Sequence, residues 1–192
     1  MGNMTAPYHL RSELKIMLWG ANLWYFADGL LGPLFAVFTQ RIGGNVLQIA
    51  GAYATYLFVT GILIMLIGNI SDHRDKARLM LVGYLVNTGC TFGYLFIHAP
   101  WQLFLLQAGF GIAVGLENAA WFSLYARFED RAHEGRIWGL AGGQGRLATG
   151  AAMLLGGVIV TKLGFTVLFV AMGSVMALAT LVQARILRYV ET

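Results

Sequence analysis

Three ionisable residues, Asp28, Glu117 and Arg146, stand inside stretches that are otherwise strongly apolar. Each stretch reaches the roughly 20 residues that cross the hydrocarbon core of a bilayer. A charge placed there costs roughly 3 kcal/mol or more, so each should face protein or water and have a partner or a task. Counting about 1.5 Å per residue from the charged loops puts Glu117 and Arg146 both roughly 13 Å deep. Asp28 comes out roughly 20 Å deep, close to the midplane. Equal depth on consecutive helices makes a Glu117–Arg146 ion pair the expected arrangement, with Asp28 as the proton-binding acid. The alternative is that the pair merely clamps two helices and Asp28 bonds a neighbour.

Other side chains share the faces of these charges. Trp24 and Tyr25 sit about one helical turn from Asp28, and Trp121 one turn from Glu117. Tyr53, Tyr56 and Thr60 make a polar stripe that suits cavity lining and interhelical hydrogen bonding equally. Tyr84, Asn87, Thr91 and Tyr94 make another, expected to serve interhelical hydrogen bonds. Acids suit a proton or a cationic group, Arg146 an anionic one, and the rings a sugar or an aromatic solute. The charge of the solute stays open on these residues alone.

The elements that position them are six membrane-spanning helices. Of the 192 residues, 58% are hydrophobic and 11% charged, against roughly a quarter charged in soluble domains. A soluble domain of this size has too little interior to hide that much apolar surface. The expected spans are 14–38, 47–70, 79–97, 102–126, 137–161 and 165–184, in one transmembrane domain over residues 1–192. The second, third and sixth hold no Asp, Glu, Lys or Arg. Charge-free runs of that length exclude a soluble helical bundle.

Connections alternate in character. Those after spans two and four, 72–78 and 127–136, are strongly charged, whereas those after spans one, three and five hold only Arg41 and Lys162 as cations. With Arg11, Lys15, Arg185 and Arg188, ten of the thirteen cations fall on one side. Positive loops of this kind mark the cytoplasmic face, which places both termini in the cytoplasm. The same distribution accounts for the net charge of +4 without a nucleic-acid partner. The expected partners are the lipid bilayer and a small-molecule solute. Cys90 lies alone inside a span, so there is no disulfide framework. All four histidines fall at or beyond span ends, and no hydrolase or metalloprotease motif occurs. No catalytic residues, metal or cofactor are expected.

The loop between spans two and three, Gly68-Asn69-Ile70-Ser71-Asp72-His73-Arg74-Asp75-Lys76-Ala77-Arg78, resembles the signature of the major facilitator superfamily. Gly68, Asp72, Lys76 and Arg78 fit it, and Asp75 replaces its second glycine. Asp28-Gly29-Leu30-Leu31-Gly32-Pro33 in span one and the glycines of span five, Gly139 to Gly157, are similar to the same family. Two departures set the chain apart from its drug–proton antiporters. No arginine occurs in Leu105 to Gly109 of span four, and Ala152-Met153 stands where they carry a Gly-Pro pair.

The resemblance implies secondary transport by alternating access, as proton symport. It implies one half of a major facilitator fold, a 3+3 inverted repeat whose first and fourth helices line a central cavity. Asp28, Glu117, Arg146, Trp24, Tyr25, Tyr53, Tyr56 and Trp121 would then serve solute or proton, and Gly68, Asp72, Lys76 and Arg78 would gate. Asp72 is expected to accept from a helix N-terminus, and by resemblance from residues 137–140 of the opposite half. Members of the family carry two six-helix halves in the same orientation. A parallel homodimer of this chain would rebuild that architecture. The alternatives are the isolated N-terminal half of a longer transporter, or a non-transporting membrane partner or assembly protein. The expected location is the cell's inner or plasma membrane, as a multi-pass protein.

Overall fold

A computed structural model describes residues 10–71 and 75–190. Among the described residues the regular structure is helical, with no strand. In chain order the helices are α1 (Ser12–Leu31), α2 (Leu34–Arg41), α3 (Val46–Ser71), α4 (Lys76–Gly93), α5 (Pro100–Phe128), α6 (Glu134–Leu163), α7 (Phe165–Ala184) and α8 (Leu187–Val190). Short 3-10 turns, Tyr94–Phe96 and Arg131–His133, follow α4 and α5. Helices α3 to α7 are each long and apolar enough to cross a membrane, α4 together with its 3-10 turn and α7 together with α8.

The first expected span is broken. Helices α1 and α2 qualify only as a pair, bent by 47° between Leu31 and Leu34. Pro33 has no N–H to continue the ladder, and Gly32 takes φ 31°, a region that side chains with a Cβ disfavour. The last bond before the break runs from the Gly32 N–H to the Asp28 carbonyl, at 3.3 Å. Asp28 therefore sits on the final turn of a helix that stops inside the span.

Packing follows an exchange pattern. α1 lies between α6 and α7, α5 lies between α3 and α4, and the two groups meet mainly where α4 touches α7. Close approach of backbones makes these contacts. A Cβ on Gly29 would stand 2.9 Å from Thr149 Cα, and one on Gly156 would collide with the Leu30 carbonyl. Two apolar clusters fill opposite ends. One joins Leu14, Met80, Leu124, Tyr125 and Ile137, near the charged loops. The other joins Leu30, Phe38, Leu103, Phe165 and Phe169.

The charged loops are tied down locally. Asp75 caps α4, accepting from the N–H groups of Ala77 at 3.1 Å and Arg78 at 3.2 Å. Its other oxygen lies 3.0 Å from Arg78 Nε. The acid that meets a helix N-terminus in this loop is thus Asp75, at the position where the signature has glycine. Asp72, which was expected in that role, lies outside the described residues. Lys76 donates to Ser123 Oγ at 2.7 Å, fastening the start of α4 to α5. After α5, the Tyr125 hydroxyl donates to the Ile137 carbonyl at 2.9 Å, and Trp138 Nε1 to Glu129 Oε2 at 2.6 Å. The hydrogen bond with His133 holds the exposed Asp130 carboxyl below the usual carboxylate range.

The α1–α6 contact yields a paired prediction. Gly156→Ala should destabilise the detergent-solubilised protein by about 1–3 kcal/mol, because the methyl group has only backbone to displace. Gly157→Ala, in open space, should be neutral or up to about 1 kcal/mol stabilising through helix propensity. Thermal unfolding of both variants checks this, and equal midpoints would refute the contact.

Candidate functional site

The site lies between the two apolar clusters and is built from short contributions of every span. A cavity of about 420 Å³ is lined by Trp24, Asp28 and Leu31 to Pro33 of the broken span, with Phe35 and Ala36 beyond the break. Tyr53 and Tyr56 enter from α3; Asn87 and Thr91 from α4, with Tyr94 from the turn after it; Gln107, Phe110 and Val114 from α5; Met153 from α6; and Met172 and Met176 from α7. A second cavity of about 210 Å³ adjoins it, lined by Ala21, Trp24, Tyr25, Tyr56, Tyr84, Val114, Glu117, Asn118, Trp121 and Phe122. Trp24, Tyr56 and Val114 border both. Together the two fall within the range of small-ligand sites, roughly 300–1,000 Å³.

Each acid governs one cavity. Asp28 is exposed, and its side chain opens into the larger one because α2 turns away at the break. Glu117 is only 4% exposed and is held in place by Gly83 of α4, whose added Cβ would stand 2.6 Å from Glu117 Cγ. Asn87 and Trp24 face its carboxylate. Four buried side-chain atoms among the described residues lack a hydrogen-bond partner: Trp24 Nε1, Glu117 Oε1, Trp121 Nε1 and Gln183 Oε1. The first three belong to residues that line the smaller cavity. Donors and acceptors left unmatched in this way stand ready for a ligand or water.

Of the residues expected to serve solute or proton, seven line these cavities: Asp28, Glu117, Trp24, Tyr25, Tyr53, Tyr56 and Trp121. Arg146 does not. It is exposed on α6, and no ion pair joins it to Glu117 among the described residues. The expected pair rested on equal depth, but pairing also needs the two side chains to point at each other, and Gly145 rather than Arg146 takes the face against Tyr25 of α1. Arg146 precedes Met153 by seven residues, so it shares the face that reaches the larger cavity, about two turns nearer the cytoplasm.

The α4 stripe is corrected as well. Gln107 Nε2 of α5 donates across to Tyr94 Oη at 3.4 Å, while Thr91 Oγ1 donates within its own helix, to the Asn87 carbonyl at 2.8 Å. Yet Asn87, Thr91 and Tyr94 line the larger cavity and Tyr84 the smaller. Thr60, by contrast, is a packing residue, donating to the Gly111 carbonyl at 3.4 Å. Gln107, Asn118, Met153, Met172 and Met176 were missed. Asn118 could have been found as a second polar residue beside Glu117; the methionines leave no signal in an apolar run. Among the described residues no three His, Cys, Asp or Glu side chains gather as metal ligands would.

Spans this apolar, enclosing an acid-bearing cavity to which all of them contribute, define a multi-pass helical membrane protein with a site for a small molecule. The chain belongs to the Major Facilitator Superfamily, a family of membrane transporters, whose model matches residues 17–191. Relatives include the multidrug resistance protein MdtG of Salmonella arizonae, Salmonella paratyphi B and Salmonella newport, each 24% identical over 147 residues. The matched stretch is 74% of this chain and 36% of each relative, so the chain spans well under two thirds of their length. The two departures from drug–proton antiporters do not keep the chain from matching proteins named for multidrug resistance.

Because Glu117 and Arg146 share no contact, a double-mutant cycle should find them independent. Glu117→Gln and Arg146→Met should combine additively within about 0.5 kcal/mol in thermal unfolding. Rescue of one substitution by the other would restore the ion pair.

Proposed function

We propose that the chain is one six-helix half of a secondary transporter that moves a small organic solute by alternating access, completed by a second copy lying parallel to it. The contrast among the spans carries this reading. In their most apolar windows only 6% of α3 and 11% of α6 is buried, against 33% for α4 and 44% for α5 and α7. The bare side of α6 is not one that lipid would favour. It carries the Arg146 guanidinium inside the span, and Gly139, Gly142, Gly143 and Gly150 facing open space. Small residues of this kind let a second helix approach closely, and a guanidinium at that depth needs protein or water around it.

The packing pattern supports the 3+3 repeat. Exchanging span one with four, two with five and three with six converts the α3–α5 and α4–α5 contacts into α6–α1 and α7–α1. The count of cations supports cytoplasmic termini. Asp28, open to the larger cavity, is the proton site of a symport cycle, and Glu117 the solute-orienting acid. Gly68, Asp72, Lys76 and Arg78 gate the cytoplasmic side. The relatives' name, multidrug resistance protein, favours an organic solute over an inorganic ion.

Two experiments test this. In proteoliposomes, Asp28→Asn should abolish uptake driven by a pH gradient while leaving solute binding in place; undiminished uptake would remove Asp28 from the proton path. Gly61 and Gly143, both in open space, each lie roughly 15 Å from the cytoplasmic end of their helices. In a Cys90→Ser background, Gly61→Cys with Gly143→Cys should therefore cross-link two copies, whose added cysteine at Arg188 reacts with impermeant reagent only from the cytoplasm. Monomers alone in native lipid, or labelling of Arg188→Cys from outside, would overturn the parallel assembly.

A further inference from the structure

Resting on the transport cavity proposed above, we propose that the smaller cavity holds the head of an N–H-bearing organic ammonium ion, whose apolar or aromatic body occupies the larger one. Charge points this way first. Each cavity is bordered by one acid, and neither by a Lys, Arg or His. Arg146 shares the α6 face of Met153 about two turns nearer the cytoplasm and lines neither cavity. Glu117 is 4% exposed, and its Oε1 has no donor. A buried carboxylate left so is strongly unfavourable unless a proton or a cation neutralises it.

The walls point to an organic cation. Trp24, Tyr25, Tyr56, Tyr84, Trp121 and Phe122 surround Glu117 in about 210 Å³. Aromatic faces attract an ammonium through their quadrupole, most strongly where water is excluded. A bare metal ion would instead need several converging oxygen, nitrogen or sulfur ligands. An N–H on the nitrogen supplies the donor that Glu117 Oε1 lacks. The unpartnered indole N–H groups of Trp24 and Trp121 can donate to the same carboxylate or to an oxygen carried beside the nitrogen.

The larger cavity suits the rest of such a molecule. Phe35, Phe110, Met153, Met172 and Met176 supply flat and adaptable apolar surface. Helix α1 also ends on this cavity at Leu31, so the negative pole of its dipole lies beside Asp28. Both features leave the whole site attractive to a positive solute and closed to an anionic one.

Equilibrium binding without a gradient tests this on the whole purified chain in lipid nanodiscs. The probes are 2-phenylethylamine, its neutral counterpart 2-phenylethanol, and the quaternary phenethyltrimethylammonium, followed by calorimetry at neutral pH. The primary amine should bind roughly tenfold or more tighter than the alcohol, and tighter than the quaternary ion, which has no N–H to give. Glu117→Gln should bring the amine-to-alcohol ratio close to one. Equal affinity for amine and alcohol, binding of neither, tighter binding of the quaternary ion, or an unchanged ratio in Glu117→Gln would each overturn the assignment. The wild-type comparison needs no variant to fold. An amine preference without uptake in proteoliposomes would remove the transporter reading and keep this site; uptake without an amine preference would do the reverse.

Discussion

A carboxylate inside a bilayer needs water, a cation or hydrogen-bond donors around it, and Asp28 and Glu117 place that need at the centre of the bundle. Much of the architecture answers it. Apolar clusters close the two ends, and Asn87, Thr91 and Gln107 join the two acids at the cavities between them. Glu117 is seated by the close approach of α4 and α5 at Gly83. Asp28 is seated by the opposite device, a helix that stops. Where Pro33 removes a donor and Gly32 takes a positive φ, the chain bends, and the last turn of α1 opens onto the larger cavity.

The two acids consequently have different surroundings although both lie in spans. Glu117 is enclosed by rings and amides, in a place where any cation that arrives is stripped of water and held by short-range contacts. Asp28 faces a wider space beside an interrupted backbone, where water and protons have easier access. The proposed division into a solute acid and a proton acid rests on that difference in surroundings, not on any difference between the two carboxyl groups themselves.

The outside of the bundle is as uneven as its inside. α5 and α1 are each wrapped by two neighbours, whereas α3 and α6 are left largely bare. The bare face of α3 is apolar, with Leu57, Phe58, Ile62 and Met65 exposed around Gly61, and it is the face offered to α6 of the second copy in the proposed assembly. The bare face of α6 mixes glycines and Arg146 with the exposed Leu147 and Leu154, and it is the face that the proposed second copy would cover. Asymmetry of this kind within one helical unit gives assembly a direction without any further signal in the loops.

The sequence by itself determined the long apolar helices and the family, and it supplied the expected sidedness of the charged loops and the expected depth of the three intramembrane charges. Each of these depends on local composition or on distance along one helix, and hydrocarbon enforces both strictly. It also singled out seven of the side chains that line the cavities, because acids and aromatic residues one turn apart share a face whatever the helix packs against. Tertiary structure alone decided the azimuth of each helix. That is why Arg146 looked like a partner of Glu117 at equal depth yet makes no ion pair with it among the described residues, and why Asn87, Thr91 and Tyr94 line a cavity, with Thr91 bonding inside its own helix rather than across to a neighbour. It decided that Asp75 caps the start of α4, and that three methionines complete the wall. Depth is fixed by counting residues, but the direction a side chain faces is fixed by which neighbour its helix can approach most closely, and here that is set by glycines on other helices.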